Sequence, residues 1–325
     1  MNKKSISKFL RDNMTWVLLI VIAIIFSFLS PNFFTFRNII NILNQNVYII
    51  ISALGIAFIM MAGEIDIAVG YHISLLSVLC ALMGVNLHLP APVILIAGVL
   101  LGILFECITM LIAHYFKLQL MMVTIGTMTI FQGIAFVLTQ SKTISNLPED
   151  YKFIGQGYIG AIPIPIIVMV VLVILASFVL NKTYMGRYVF AIGGNAEAAR
   201  LAGISVFKMK MLIAGIAGGM VGLAATFMCS RLGAIQANTG AGLEFTIITA
   251  VLLGGVSVRG GEGKMSGVVA GVLILAILTN GMQLAGLDVY YQFIAKGVIM
   301  LATIGVDVFQ LNQKDKIKKS KAKAA

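Results

Sequence analysis

Long runs of apolar residues recur through almost the whole chain. About ten stretches of roughly 20 residues lie near 14–31, 45–62, 66–86, 90–114, 119–139, 162–181, 208–229, 243–256, 265–284 and 290–309. A helix needs about 20 mostly apolar residues to cross roughly 30 Å of hydrocarbon. Hydrophobic residues make up 60% of the 325 and mean hydropathy is +1.02, whereas soluble domains are about 45–50% apolar. The sequence therefore predicts an all-α membrane protein with about ten transmembrane helices in a single bundle.

The 23 Lys and Arg residues outnumber the 12 Asp and Glu residues, which gives a net charge of +11. If the N-terminus is cytoplasmic and about ten segments span the membrane, most basic residues fall on the cytoplasmic side. This asymmetry is the positive-inside rule, so the charge indicates topology and not nucleic-acid binding. We expect a cytoplasmic segment 1–13, one transmembrane domain 14–309 with a loop 182–207, and a basic cytoplasmic tail 310–325 that also contacts membrane lipid.

Small residues are spaced four apart in two apolar segments. In 208–229, Gly215 and Gly219 form one such pair, and Ala214, Gly218 and Gly222 form another line. In 265–284, Gly267 and Gly271 repeat the spacing. Small residues at this spacing let helix backbones approach closely in lipid. The pattern predicts tight helix packing, either within the chain or between two copies of it.

Ionisable residues inside apolar segments are costly and therefore mark functional candidates. Glu64 and Asp66 lie in the sequence GEIDIAVG, residues 63–70, which we call the GEIDIAVG segment. Its flanking glycines, Gly63 and Gly70, predict a turn or break in the backbone. Continuing from Asp66 through Gly70 to Ser74, the helical spacing gives one polar face directed at the bundle interior or a water-filled path. The alternative is an ordinary turn with two solvated acids.

Neutral polar residues and one further acid complete a candidate translocation path. The candidates are Asn44, Gln45, Glu64, Asp66, Ser74, Thr124, Thr127, Gln132, Glu244 and Asn280. Amides and hydroxyls of this kind suit hydrogen bonding to hydroxyl-rich solutes. They equally suit hydrogen bonds between helices.

The chain lacks recognisable catalytic, metal or nucleotide motifs. Its cysteines and histidines show no metal-ligand spacing. The sequence GGEGKM, residues 260–265, is not a phosphate loop, because Val258 stands where that motif has its first glycine and Met265 where it has Ser or Thr. We therefore expect no enzyme activity and no cofactor, with any energy for transport coming from an ion gradient or from a separate subunit.

A short polar stretch, GGNAEAARLAGIS at 193–205, interrupts the apolar pattern. Asn195 is a good N-cap and Gly203 a good C-terminal stop, so the residues between them predict about two turns of helix. Glu197 and Arg200 suit the helix dipole and an i, i+3 ion pair. So short a helix persists only when it packs on something. Its narrow apolar face, formed by Ala198, Leu201 and Ala202, favours docking into a groove of a cytoplasmic protein. The alternative is a helix lying on the membrane surface.

Five motifs occur in an order that resembles the permease subunits of ribose-type ATP-binding-cassette (ABC) sugar importers. They are NIINILNQ (38–45), GEIDIAVG (63–70), GGNAEAARLAGIS (193–205), LLGGVSVRGGEGKMSGVVAG (252–271) and NGMQLAGLDVYYQFIAKGVIMLA (280–302). Together they cover nearly the whole chain. The glycines expected to be structural in these motifs are Gly63, Gly70, Gly254, Gly255, Gly260 and Gly261.

The resemblance implies a permease in the bacterial inner membrane that forms a homo- or heterodimer. An extracytoplasmic binding protein would deliver a monosaccharide, and separate ATPase subunits would bind ATP and Mg²⁺ and drive transport. The same resemblance makes Asn195, Glu197, Ala198, Arg200, Leu201 and Gly203 the coupling helix that contacts the ATPase. The family commonly has glycine and serine where this chain has Glu64 and Ala68. Related permeases carry pentoses, hexoses or a furanosyl solute, and the sequence does not choose among them.

Three other functions remain open at the level of sequence. A permease for branched-chain amino acids shares the architecture of this superfamily. An ion-driven carrier would use Glu64, Asp66 or Glu106 as a proton site. A scaffold or receptor would move no solute, although the number of polar groups within the apolar segments disfavours it.

Overall fold

The computed structural model describes residues 14–324 and shows an all-α protein. The helices, in chain order, are α1 (Met14–Leu29), α2 (Phe36–Met61), α3 (Val69–Val85), α4 (Ala91–Tyr115), α5 (Leu120–Thr139), α6 (Glu149–Gln156), α7 (Ile164–Lys182), α8 (Tyr184–Gly194), α9 (Ala196–Leu201), α10 (Val206–Leu232), α11 (Leu243–Leu253), α12 (Met265–Leu284) and α13 (Val289–Ala324). A small antiparallel hairpin, β1 (Tyr158–Ile159) with β2 (Ile162–Pro163), lies between α6 and α7. The predicted segment 1–13 and the side chains of the predicted tail 310–325 lie outside the described residues.

Seven of the described helices are long and apolar enough to cross a membrane: α2, α4, α5, α7, α10, α12 and the part of α13 from Val289 to Phe309. Three shorter apolar helices, α1, α3 and α11, accompany them. Each apolar segment marked in the sequence therefore forms a helix, and the protein is a multi-pass membrane protein.

The second helix begins nine residues earlier than predicted, at Phe36 instead of 45. The Thr35 hydroxyl accepts a hydrogen bond from the Asn38 backbone N–H at 3.3 Å and caps the helix. The polar residues of NIINILNQ thus lie within α2. The predicted start near 45 falls within α2, because the N-cap signal at Thr35 lies upstream of the apolar run.

The helix bundle has two ends, which we name after the short helices there. At the α9 end, α2 terminates close to the beginnings of α5 and α10, since Glu64 contacts both Leu120 and Lys210. At the α6 end, the Gly155 backbone N–H donates to the Ser230 hydroxyl at 2.6 Å, which joins α6 to the last turn of α10. The isolated bridge between Ile144 and Ile235 lies at the same end.

Helices α4 and α10 pack backbone to backbone through glycines. A Cβ atom added to Gly102 would lie 2.2 Å from the Gly218 carbonyl oxygen, and one added to Gly222 would lie 2.2 Å from the Gly98 carbonyl oxygen. Approach this close is what small residues permit in lipid, where the hydrophobic effect does not drive helix association. The Gly218/Gly222 line predicted from the sequence therefore packs within the chain.

Helix α11 starts inside the bundle instead of at its surface. It has 11 residues and so spans about 16 Å, roughly half of a 30 Å hydrocarbon core. The Gly240 backbone N–H, just before α11, donates to the Ser74 hydroxyl of α3 at 2.8 Å in a fully buried contact. Ala237 and Glu244, on either side of this contact, are also buried. The first turns of α3 and α11 are thus held together in the interior.

Candidate solute pocket and coupling helix

A cavity of about 190 Å³ opens between α2, α10, α11, α12 and α13. Its lining comes from the first half of α2, the end of α10, the first turn of α11, α12 from Val272 onward and Lys296 of α13. The ends of α2, α10 and α12 that line it place it toward the α6 end. Seven residues with neutral amide or hydroxyl groups line it: Gln45, Asn46, Tyr48, Thr246, Thr279, Asn280 and Gln283. Among the described lining residues there is no carboxylate, but Arg231 and Lys296 add two positive charges.

Two of the predicted path residues, Gln45 and Asn280, line this pocket. Asn280 also exchanges two side-chain hydrogen bonds with Asn38. The Asn38 amide donates to Asn280 Oδ1 at 2.9 Å, and the Asn280 amide donates to Asn38 Oδ1 at 3.0 Å. This reciprocal pair joins α2 to α12 and fixes the orientation of the Asn280 side chain at the pocket wall.

Asn38 was missed by the sequence reasoning, since its partner is 242 residues away. Arg231 and Lys296 were also missed as pocket residues. The signal that could have found Lys296 is that it is a charged residue within the apolar segment 290–309.

The remaining predicted path residues lie away from the pocket. Ser74 and Glu244 hold α3 against the start of α11. A Cβ added to Gly70 would lie 1.8 Å from Glu244 Oε2, so only glycine lets this carboxylate approach α3. Glu244 Oε1 accepts from the Gly242 backbone N–H at 3.2 Å, while Oε2 is buried without a hydrogen-bond partner. The polar face predicted on α3 therefore points into the bundle interior.

Helix α5 anchors the GEIDIAVG segment and the start of α3. The Thr124 hydroxyl accepts from the Ile67 backbone N–H at 3.2 Å, and the Gln132 amide donates to the Tyr71 hydroxyl at 3.1 Å. The Thr127 hydroxyl donates to the Thr124 carbonyl oxygen at 3.3 Å. These three predicted path residues thus make hydrogen bonds within or between helices.

Asp66 and Glu64, two residues apart, have different surroundings. Asp66 is fully buried, and its Oδ1 accepts from the Ala68 backbone N–H at 2.7 Å at the start of α3. Glu64 is partly exposed and forms an ion pair with Lys210 of α10. Its other oxygen accepts from the Leu120 backbone N–H at 3.3 Å, where the positive end of the α5 dipole favours a carboxylate. Asn44, by contrast, has a buried Oδ1 without a hydrogen-bond partner.

Glu106 lies beside a histidine in the bundle interior. Its Oε2 lies 3.3 Å from His72 Nδ1, and both side chains are almost completely buried. Phe131 and Phe105 stand beside the imidazole, with ring centroids 5.1 Å and 6.0 Å away. Within the described residues, no group of three or more His, Cys, Asp or Glu side chains is placed to hold a metal ion.

All six predicted structural glycines sit where a side chain would be strained or would collide. Positive φ angles occur at Gly63, Gly255, Gly260 and Gly261. A Cβ added to Gly254 would lie 2.6 Å from backbone atoms of Gly267 and Val268, and Gly70 has been described above.

Helix α9 is short, capped at both ends and exposed. Asn195 Oδ1 accepts from the Ala198 backbone N–H at 2.9 Å. At the other end, Gly203 has φ +85° and the Ile204 N–H donates to the Ala199 carbonyl oxygen at 3.0 Å, a Schellman motif. Both caps predicted from the sequence are present, and Ala199 is the buried residue that seats the helix on its neighbours.

The exposed face of α9 combines an ion pair with an apolar side chain. The Arg200 guanidinium donates to both Glu197 carboxylate oxygens, at 2.6 Å and 3.0 Å. This hydrogen bond and the Arg200 charge hold the pKa of Glu197 below its ordinary value. Leu201 beside them is 78% exposed. Helix α8, which the sequence did not predict, leads into α9 and packs against it.

Residues 38–304 match the family described as branched-chain amino acid transport system / permease component. This match spans most of the chain. The chain belongs to this permease family. The family is one of transport proteins, in agreement with the polar pocket and the membrane-crossing helices.

Curated relatives match over almost their full length. The ribose import permease protein of Haemophilus influenzae is 36% identical, and the alignment covers 93% of this chain and 94% of the relative. The ribose import permease protein of Bacillus subtilis is 37% identical over 89% and 90%. The L-arabinose transport system permease protein of Escherichia coli is 35% identical over 91% of each. No solved structure matches the chain significantly.

Proposed function

We propose that the protein is the permease subunit of an ABC importer that moves a monosaccharide into the cytoplasm. The observation that carries the proposal is the pocket between α2, α10, α11, α12 and α13, whose neutral amides and hydroxyls match the donors and acceptors of a sugar. The relatives named for ribose and arabinose support the same solute class. Pentoses, hexoses and related furanosyl solutes all fit this description.

The proposed topology places the α9 end in the cytoplasm and the α6 end outside. Seven long apolar helices and three shorter ones support about ten membrane-embedded segments. The excess of basic residues on the α9 side, together with the Lys-rich tail, supports cytoplasmic N- and C-termini in the inner membrane of a bacterium. The solute then enters at the α6 end, where the pocket lies.

In this scheme ATP hydrolysis on a partner subunit is coupled to solute transport through α9. A helix of 6 residues cannot persist in water by itself, yet its two caps keep it folded and its Leu201 stays exposed. These features fit a preformed coupling helix that docks into a groove of a cytoplasmic ATPase. ATP and Mg²⁺ would be bound and hydrolysed on that subunit, with no catalytic group or cofactor on this chain.

Two further partners complete the proposed importer. A second permease, identical or related, would form the other half of the solute path, and a binding protein outside the membrane would deliver the sugar. The surface around α6 and the β1–β2 hairpin is the described surface at the end where that delivery takes place. The pocket residues would exchange hydrogen bonds with the solute as the bundle opens toward one side of the membrane or the other.

A branched-chain amino acid is the second candidate solute. The description of the matching family favours it, and Arg231 with Lys296 could bind a carboxylate. However, the described lining offers no carboxylate to pair with an α-ammonium group. This imbalance favours the sugar.

Uptake into proteoliposomes that contain the permease, its cognate ATPase and its binding protein tests the proposal. We expect ATP-dependent uptake of a radiolabelled pentose or hexose that unlabelled sugar inhibits and leucine does not. Inhibition by leucine alone would favour the amino acid. Uptake that collapses with the proton gradient and survives without ATP would instead indicate an ion-driven carrier.

The pocket itself is tested by Thr246→Val, which removes a lining hydroxyl with little change in shape. One lost hydrogen bond of about 0.5–1.5 kcal/mol predicts roughly a two- to tenfold rise in KM. The control is Thr129→Val, because the exposed Thr129 hydroxyl bonds only to the Ile125 carbonyl oxygen. Equal KM values for the two variants would place the solute elsewhere.

A further inference from the structure

Residues Met61–Glu64 join the end of α2 to the beginning of the GEIDIAVG segment. They contact both segments of the chain that flank α9. On one side is the end of α8, which enters α9. On the other is the beginning of α10, which leaves it. These four residues, which we call the relay segment, contact α8 through Gly193 and α10 through Lys210, and they precede α3 in the chain.

The first contact is made by backbone alone. A Cβ added to Gly193 of α8 would lie 2.0 Å from the Met61 carbonyl oxygen and 2.5 Å from the Gly261 nitrogen. The Gly261 N–H donates to that same carbonyl at 2.9 Å. Gly260 also packs against backbone, since a Cβ added to Gly260 would lie 2.6 Å from the Gly63 Cα. With no side chain between them, α8, α2 and the α11–α12 connection cannot slide past one another without breaking contact.

The second contact is electrostatic. Lys210, in the second turn of α10, forms an ion pair with Glu64, and both side chains are mostly shielded, with 25% and 19% exposed. Glu64 also binds the first backbone N–H of α5. A shielded pair of this kind is screened by salt less than a surface pair. The outgoing flank of α9 is therefore tied to the relay segment by charge.

Beyond the relay segment the contacts continue to the pocket. Asp66 Oδ1 accepts from the Ala68 N–H just before α3, and Ser74, in the second turn of α3, accepts from the Gly240 N–H just before α11. Leu243 and Thr246, in the first turn of α11, line the pocket. Each step is a buried hydrogen bond or a contact without spare room.

We propose that Met61–Glu64 transmits the displacement of α9 to the start of α3 and from there to the pocket. Gly193 and the Glu64–Lys210 pair are the two positioning contacts that hold the relay segment to the flanks of α9. This inference rests on the proposed function, because it assigns the path between the ATPase and the solute. Contacts by themselves do not establish coupling, so the test must measure coupling.

The first experiment compares Gly193→Ala with Gly194→Ala in the reconstituted importer. The two glycines are adjacent in α8, but a Cβ on Gly194 meets nothing within 4 Å. We expect both variants to assemble with the ATPase and to retain basal ATP hydrolysis. Gly193→Ala should lower solute-stimulated hydrolysis and uptake by about fivefold or more, while Gly194→Ala stays within about twofold of wild type. Wild-type stimulation in Gly193→Ala would overturn the proposal.

The second experiment does not depend on the folding of Gly193→Ala. Glu64→Gln keeps an acceptor for the Leu120 N–H but removes the charge, and Lys210→Met removes the other partner. Lys208→Met is the control, since Lys208 is an exposed residue of the same helix. Each test variant should lower the number of solute molecules moved per ATP by about threefold or more, and the double variant should be no worse than the worse single one. Multiplied losses would show that the residues act separately and would contradict the proposal.

The wild-type control separates the two levels of inference. If the wild-type importer moves no sugar with ATP, the proposed function fails. If wild-type uptake is ATP-dependent but Gly193→Ala and Lys210→Met keep full coupling, the relay alone is refuted.

Discussion

Leu201→Ala is the sharpest single perturbation of the proposed ATPase contact. Leu201 is 78% exposed on α9, so it contributes little to the stability of the permease itself. The substitution removes Cγ and both methyl carbons, worth about 2.4 kcal/mol at roughly 0.8 kcal/mol per carbon. If docking to the ATPase buries the exposed 78% of the Leu201 side chain, Leu201→Ala loses roughly 1.9 kcal/mol of binding free energy.

A loss of roughly 1.9 kcal/mol corresponds to about a 20-fold increase in the Kd of the permease for its ATPase subunit. The assay is binding of the purified ATPase to the permease in lipid nanodiscs, with thermal stability of the permease measured in parallel. Leu201→Met, which conserves volume, should retain binding within about threefold. Leu87→Ala is the control at the α6 end, because Leu87 is also exposed, at 64%, but lies far from α9.

An unchanged Kd for Leu201→Ala, or an equal effect of Leu87→Ala, would refute the docking argument. A fall in the Tm of the permease itself would also contradict it. In that case Leu201 would be stabilising the bundle instead of contacting a partner.

Four further predictions concern the ion pair on α9 and two contacts between helices. Replacing Glu197 and Arg200 together by Ala should uncouple ATP hydrolysis from uptake while expression stays normal, because an exposed pair of this kind stabilises the fold by only about 0.2–1 kcal/mol; unchanged uptake would contradict its role. Arg200→Gln alone should raise the pKa of Glu197, measured by NMR titration of labelled Glu, because Arg200 holds that pKa below its ordinary value. In the wild-type protein the Glu197–Arg200 ion pair is intact at neutral pH and is lost only as the pH falls through the lowered pKa of Glu197. A change in uptake between about pH 6 and 8 would therefore require another titratable group. Asn38→Ala and Asn280→Ala should each destabilise the α2–α12 contact, with a coupling energy of about 0.6 kcal/mol or more in a double-mutant cycle; additive losses in Tm would show that the two amides do not interact. Gly222→Ala should cost about 1–3 kcal/mol of stability because its Cβ would meet the Gly98 carbonyl, whereas Gly219→Ala, whose nearest neighbour is a side-chain carbon at 3.4 Å, should be tolerated.

The helices could be predicted from the sequence because membrane-crossing segments are written locally, as runs of apolar residues. Helix α9 was predictable for a similar reason, since Asn195 and Gly203 are local cap signals. Helix α8 was missed because its sequence, YMGRYVFAIGG, contains three glycines, one arginine and two tyrosines, a composition that resembles a connecting loop.

The site was predicted only in part because its contacts join residues far apart in the chain. Asn280 was identified, but its partner Asn38 is 242 residues away. Glu64 was assigned to the solute path, yet it pairs with Lys210, which is 146 residues distant. A polar residue in an apolar helix requires a hydrogen-bond or ion-pair partner. Whether that partner is a solute or another helix depends on the rotation of the helix within the bundle.

The most direct test of the whole account is uptake of a radiolabelled monosaccharide into proteoliposomes carrying the permease, its ATPase and its binding protein, measured with and without ATP for the wild-type protein and for Leu201→Ala. We expect uptake by the wild-type protein only when ATP is present, with a loss in Leu201→Ala that higher ATPase concentrations restore. Sugar uptake without ATP, or a Leu201→Ala permease as active as wild type at limiting ATPase, would contradict it.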